Sequence, residues 1–327
     1  MCRKLLFLLL LPLLFSGVSP LLLSSESYSD ACDPRSLPDP LTLRPDRLTV
    51  LINGYSEARL PLLNTLAATY AAHPLVDAVL VLWGDPSTPA ATLASLSSRG
   101  GGSASVFVVR NPSTSLNARF LPRAAIRTRA VAVCDDDVEI DSRTLSFAFS
   151  IWGSRGGVAL VGLFARSHDL DLERRRWIYS VHPDRYSIVL TKFMILSVDY
   201  LRQYSCWGRL SEARRLVDRE RNCEDILMNF VVAKESGVGP VLVGGRVRDW
   251  GDPRNNGSGG GAEAAMGRMG LSARQGHRKK RGDCITEFHR MLGEMPLKYS
   301  YGRVVDGVGE QGLCEKAGKL VLCDRQD

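Results

Sequence analysis

Four short apolar runs, Leu48–Asn53, Val76–Trp83, Val106–Arg110 and Ala130–Cys134, recur along the first half of the chain. Runs of this length that are rich in Val, Leu and Ile read as buried strands. Helical segments are predicted between them over Leu60–Ala72, Thr88–Ser98 and Pro122–Arg127. Strands alternating with helices specify an α/β fold, a parallel sheet with helices on both faces, and such sheets bind ligands beyond the carboxyl ends of their strands.

One of those ends carries three consecutive carboxylates, Asp135, Asp136 and Asp137, followed by Val138-Glu139-Ile140-Asp141. At about 5 Å and an effective dielectric near 20, each pair of charges repels by roughly 3 kcal/mol, so the cluster keeps its charge cheaply only beside a cation. Hard oxygen donors suit Mg²⁺ or Mn²⁺, ions that bridge proteins to diphosphates. The competing reading is an acidic turn in solvent; the preceding strand favours a site.

The first residues suggest a compartment. Arg3 and Lys4 precede a charge-free stretch from Leu5 to Leu23, interrupted by Pro12 and Pro20. Residues 1–24 are therefore expected to be a cleaved signal peptide or a signal-anchor, with a lumenal body. A Pro-, Asp- and Ser-rich stem is expected over residues 25–47, and one catalytic domain over 48–327. The sequon Asn256-Gly257-Ser258 makes Asn256 a glycosylation candidate; Asn111-Pro112-Ser113 is excluded by its proline. Beyond Cys2, seven cysteines would face an oxidising lumen, so at least one stays free, and Cys134 inside a strand is the expected one. The net charge of +7 favours anionic partners. Nucleic acid is disfavoured by the leader, the sequon and the lack of aromatics interleaved with the basic run His277–Arg281.

Further along, a helix is expected over Ser142–Ile151, a strand over Val158–Phe164 and extended pieces at Trp177–Val181 and Ile188–Thr191. Glu212–Arg221 and Ile226–Ala233 read as helices, the second buried. Glu224 and Asp225 fall near its start, where the helix dipole favours carboxylates. Asp249–Gln275, with Gly259-Gly260-Gly261, reads as a surface loop.

The ordered set SLNARFLPR from Ser115, CDDDVEID from Cys134, Trp177 with Tyr179, YSIVLTKF from Tyr186, NCEDILMNF from Asn222 and RGDCI from Arg281 resembles the exostosin-type glycosyltransferases of family 64. The resemblance covers about Leu48 to Asp327. Within the family, LINGYSE, VLWGDPSTP, VRDWGD and the C-terminal tail are most similar to the plant enzymes that mannosylate glycosylinositol phosphorylceramides.

That resemblance implies a GT-A fold, with a Rossmann-like nucleotide-binding half and a mixed central sheet, and a retaining, Mn²⁺-dependent transfer from GDP-mannose to a glycolipid acceptor. It also implies a single-pass type II protein of the Golgi membrane with a lumenal catalytic domain. Asp137 would be the direct metal ligand. Asn53, Asp85, Asn117, Arg119, Asp135, Asp136, Arg166 and Arg281 would bind the donor. Asp225 would stabilise or attack the sugar cation, and Glu224 would bind the acceptor. Cys223 and Cys284 match the family disulfide, and Cys314 with Cys323 form a candidate local pair. The alternatives are a UDP-N-acetylhexosamine-dependent transferase, as in animal relatives, and a catalytically silent lumenal partner.

Overall fold

The computed structural model describes residues 22–23, 31–97, 104–111, 113–251, 276–306, 311–316 and 319–324, the first and last two of these in backbone only. Most of the expected leader, the sequon at Asn256 and the glycine-rich stretch fall outside them, as do the side chains of Cys314 and Cys323. No helix among the described residues is long and apolar enough to cross a membrane.

An eight-stranded mixed sheet organises the chain, in the spatial order Leu22–Leu23, Ser105–Arg110, Val76–Trp83, Arg44–Gly54, Thr128–Asp135, Phe193–Ser197, Val161–Gly162, Val241–Leu242. The first five run parallel; Phe193–Ser197 is antiparallel to both its neighbours. Strand order advances outward from Arg44–Gly54 to Ser105–Arg110, then returns to place Thr128–Asp135 on the other flank of Arg44–Gly54. The reversal puts the ends of these two strands, with Asn53 in register with Asp135, at a topological switch point, where a crevice opens in such sheets.

The pleat explains why the strands are apolar throughout. Leu51, Leu80, Leu82, Val131, Val133, Met194 and Leu196 enter one core, while Val50, Ile52, Val81, Ala130, Ala132, Phe193 and Ile195 enter the other. Helices Leu60–Ala71 and Ser142–Ser154 cover the second face. Val198–Cys206, Ser211–Glu220, Glu224–Ser236 and His277–Leu292 cover the first. Free Cys134 lies in the second core, as expected, and burial raises its thiol pKa well above the ordinary range.

Three expected elements differ, the first being the helix over Thr88–Ser98, which is a short α-helix at Ala90–Leu93 followed by a 3₁₀ turn at Ala94–Ser97. Pro122–Arg127 is not helical; a 3₁₀ turn occupies Leu116–Phe120, and the residue before Pro122 is extended, as proline demands. The buried Arg123 guanidinium instead donates to the carbonyls of Ala118 and Leu121. The strand expected over Val158–Phe164 is reduced to Val161–Gly162, where a Cβ on Gly162 would meet Val189 at 2.1 Å.

The described part of the segment expected to be a stem is in contact with the domain. Cys32 is bonded to Cys206, and Ala31 packs in a small cluster with Ala118 and Leu121. Replacing both Cys32 and Cys206 by serine is expected to cost about 2–4 kcal/mol of stability, because the bridge joins residues 174 apart in sequence. Urea unfolding of the variant and the parent chain tests this.

Candidate active site

Each functional side chain is delivered by a different local device. The strand Thr128–Asp135 ends in the crevice, and Val138–Ile140 then pairs with Val247–Asp249, so the three aspartates occupy a tight connection between paired segments. Trp250 donates its backbone N–H to the Asp137 carbonyl at 2.8 Å. A Cβ on Gly251 would lie 2.4 Å from Asp137 Oδ2, so the backbone approaches this carboxylate as only glycine permits. Lys192 pairs with Asp249 and accepts the Asp135 N–H on its backbone carbonyl at 3.4 Å.

Across the crevice, Glu224 and Asp225 open the buried helix Glu224–Ser236. Arg221 and Cys223 hold positive φ, 48° and 78°, which bulky L-residues adopt only when surrounding structure holds them there. Here the holding contacts are a disulfide from Cys223 to Cys284, as the family resemblance implied, and a hydrogen bond from the Cys223 N–H to Asn222 Oδ1 at 2.8 Å.

Three guanidiniums pair with the two acidic groups, and one of them, Arg119, joins the groups to each other. Arg59 donates through one nitrogen to Asp136 Oδ1 at 2.5 Å and to Asp137 Oδ2 at 2.9 Å. Buried Arg119 sits between Asp135, at 3.2 Å, and Glu224, at 3.3 Å. Arg281 donates to Asp225 Oδ2 at 2.6 Å and to Asn222 Oδ1 at 3.0 Å, with its plane 4.4 Å from the centre of the Tyr179 ring. The Nε atoms of both Arg119 and Arg281 are buried without a hydrogen-bond partner among the described residues. An unmet buried donor is costly, which makes these two groups receptive to an anion.

Carboxylate protonation follows from the crowding. Burial pushes Asp137 up to about 6, aided by repulsion from Asp135, against the pull of Arg59. Burial likewise raises Glu224 to about 6, with Arg119 opposing it and Asp225 adding to it. Asp136 is raised by burial, and Arg59 works against that rise.

Five carboxylates, Asp135, Asp136, Asp137, Glu224 and Asp225, stand against three guanidiniums, Arg59, Arg119 and Arg281. The excess of two is what a divalent cation would neutralise, and the oxygens around Asp135–Asp137 are of the hard type that Mg²⁺ or Mn²⁺ takes. The residues therefore fit such an ion in charge and donor chemistry. No three acidic, His or Cys side chains among the described residues converge tightly enough to form a metal site by themselves.

The other expected donor residues are placed unevenly. Asn53 lies beside Asp135 at the switch point. Asp85 follows the strand Val76–Trp83 and is half-buried; its Oδ1 accepts both the hydroxyl and the N–H of Ser87, which lowers its pKa. Asn117 is fully buried and committed to protein: its amide donates to Asp218 and to the Arg214 carbonyl, and its oxygen accepts from Tyr204. It shapes the Arg119 turn from within. Arg166 donates to the Ala165 carbonyl and borders a cavity of about 450 Å³ with Phe164, His182 and Arg303. The sequence reading missed Arg59 and Lys192. Arg59 sits in a 3₁₀ turn before a helix, where nothing local distinguishes it from a solvated arginine.

Comparison with known proteins identifies the family of this chain. A model described as Glycosyl transferase family 64 domain matches residues 48–309. Glycosyltransferase family protein 64 C3 of Arabidopsis thaliana is 56% identical over 304 residues, covering 90% of this chain and 91% of that protein. Glycosylinositol phosphorylceramide mannosyl transferase 1 of the same plant is 27% identical over 273 residues, 79% of this chain and 76% of that protein. Exostosin-1c of Danio rerio is 35% identical over 189 residues, 58% of this chain but only 24% of the longer exostosin. The chain belongs to glycosyltransferase family 64, of the exostosin type, and is a glycosyltransferase.

A raised carboxylate pKa gives stability at low pH that is lost as pH climbs through the folded value. Asp137 thus weakens the metal-free fold between about pH 4 and 6. Asp137→Asn removes that loss. Relative to the parent chain, the variant is expected to gain up to about 3 kcal/mol between pH 4 and 7. Urea unfolding of both in chelator-treated buffer at the two pH values measures it.

Proposed function

We propose that this family 64 glycosyltransferase has a GT-A fold and transfers mannose from GDP-mannose to glycosylinositol phosphorylceramide sphingolipids, with Mn²⁺, retention of configuration and a Golgi-lumenal catalytic domain. The observation that carries a nucleotide-sugar transfer is the Arg119 bridge, which holds the aspartate cluster and the Glu224–Asp225 pair on opposite sides of one crevice. Mannose and the sphingolipid acceptor rest on the resemblance to the mannosyl transferase at 27% identity.

In this reading, Asp135–Asp137 would hold the ion, with Asp137 as the direct ligand, and a bound ion would supply Lewis-acid stabilisation of diphosphate charge. Arg119 and Arg281 turn their unmet Nε–H groups to phosphate oxygens, for which a guanidinium is the fitting donor. Asn53 and Asp85 flank the nucleotide pocket, and Arg166 lies toward the donor sugar.

Asp225 is suited to stabilising a sugar cation more than to forming a covalent bond. Its Oδ2 already accepts from Arg281 and its Oδ1 from the Ile226 N–H at 2.8 Å, so both oxygens are fixed and their electron density is partly engaged. Such a carboxylate offers preorganised negative charge, the electrostatic contribution that dominates many transfers. Glu224, whose pKa burial raises to about 6, is assigned to an acceptor hydroxyl in this reading.

A second reading, transfer from a UDP-N-acetylhexosamine, draws on the 35% identity to an exostosin over part of the chain. Purified protein with Mn²⁺ and either GDP-mannose or UDP-N-acetylglucosamine separates the two. GDP-mannose is expected to be consumed, and consumption of the UDP-sugar alone refutes mannosyl transfer. Asp225→Ala and Asp137→Ala are each expected to lower turnover by at least about 10³-fold while leaving circular dichroism unchanged. Near-normal turnover removes the altered residue from the mechanism. In a plant secretory host, the chain is expected to shift in mobility on glycosidase treatment, and Asn256→Gln to abolish the shift.

A further inference from the structure

The hairpin formed by Ala165–Asp171 and Arg176–Ser180 ends in a tip that the transfer reaction does not use. Leu172, at the turn, is 78% exposed, Leu170 is 45% exposed and Ile178 is 48% exposed. Such apolar residues at a hairpin end normally find a packing partner; here they face solvent among the described residues. Glu173 follows Leu172, and Arg174, Arg175 and Arg176 come next; all four are exposed.

A second basic group joins them through the fold. The helix His277–Leu292 packs along Arg176–Ser180, with the Trp177 N–H donating to Thr286 Oγ1 at 2.9 Å. Asp283 ties the groups together: it accepts from Arg176 at 2.6 Å and from Lys279 at 2.9 Å. Arg278, Lys279 and Lys280 are exposed on the first turn of that helix. The run His277–Lys280, which reads as a solvated face in isolation, thereby becomes one surface with the hairpin. Of its six cations, Arg174 pairs with Asp171, Arg176 and Lys279 with Asp283, and Lys280 with Glu220, while Glu173 adjoins them in sequence. Arg175 and Arg278 have no ion pair among the described residues.

We propose that this surface docks the protein on an anionic lipid bilayer, with Leu172 and Leu170 entering the headgroup boundary and the arginines and lysines meeting lipid phosphates. An apolar point fringed by cations is the chemistry of an interfacial membrane segment, where insertion and charge attraction add. An acidic protein partner would call for a broader apolar face than a hairpin end supplies. The placement matters for the site. Arg281, two residues before Asp283, reaches Asp225, so the docking surface and the site share one helix, whatever sugar is transferred.

The test uses the full chain carrying Cys2→Ser and Leu172→Cys, labelled with an environment-sensitive fluorophore, with the Cys2→Ser chain as background. It is mixed with phosphatidylcholine vesicles with or without phosphatidylserine. The label is expected to brighten and shift to the blue with phosphatidylserine. Adding Arg174→Glu and Arg175→Glu is expected to reduce that enhancement at least about fivefold. An equal response with and without phosphatidylserine overturns the proposal, as does an undiminished response in the charge-reversed chain. So does an equal response from a label at Ser150→Cys on the other side of the sheet. Polyglutamate producing the same response assigns the surface to acidic protein and likewise overturns it. None of these readouts depends on which donor the enzyme consumes.

Discussion

The Arg119 guanidinium is the contact on which the site depends. Buried, it stands between Asp135 at a strand end and Glu224 at a helix start, two acidic groups brought from positions 89 residues apart. Removing it would leave carboxylates facing one another in a poorly solvated crevice, where an unpaired charge costs several kcal/mol. Much of the surrounding structure serves to hold this one side chain. Asn117, Tyr204 and Asp218 fix its turn, and Ala31 packs on the same turn beside the Cys32–Cys206 bridge.

The opposite wall is held by a different mixture of constraints. The helix Glu224–Ser236 is buried from Glu224 to Ala233, so its N-terminal carboxylates cannot swing toward water without disturbing the core. Its entry depends on left-handed backbone at Arg221 and Cys223, secured by the Cys223–Cys284 bridge. The same bridge brings Arg281 to Asp225. Strain, covalent constraint and a buried ion pair therefore meet within a few residues, which fits a site that must present negative charge in one orientation.

Much of the fold was legible because burial on both faces of a parallel sheet leaves a plain signal. Val76–Trp83 has the same limits in the sequence reading and in the structure, and Asp135–Asp137 stand at a strand end as expected. Asp225 and Arg281, taken from a family resemblance, do meet. What was not legible involved long side chains whose role depends on distant partners. Arg59, Lys192 and Arg123 carry no local pattern that separates them from surface cations, yet each satisfies a carboxylate or open carbonyls in the interior. Asn117 erred in the other direction, since a motif position expected to face a donor is spent on internal hydrogen bonds.

By itself the sequence determined an alternating α/β chain, an acidic cluster at a strand end, membership of a glycosyltransferase family and a free cysteine in the core. These follow from periodicity, composition and local motifs, which act over a few residues. The tertiary structure alone decided which cations neutralise which carboxylates, that the expected stem is bonded to Cys206, and that the basic run at His277 shares a surface with a leucine-tipped hairpin. Coulombic pairing and disulfide formation depend on distance in space. Only chain reversal at the switch point and packing of the helices on the sheet bring those residues within reach.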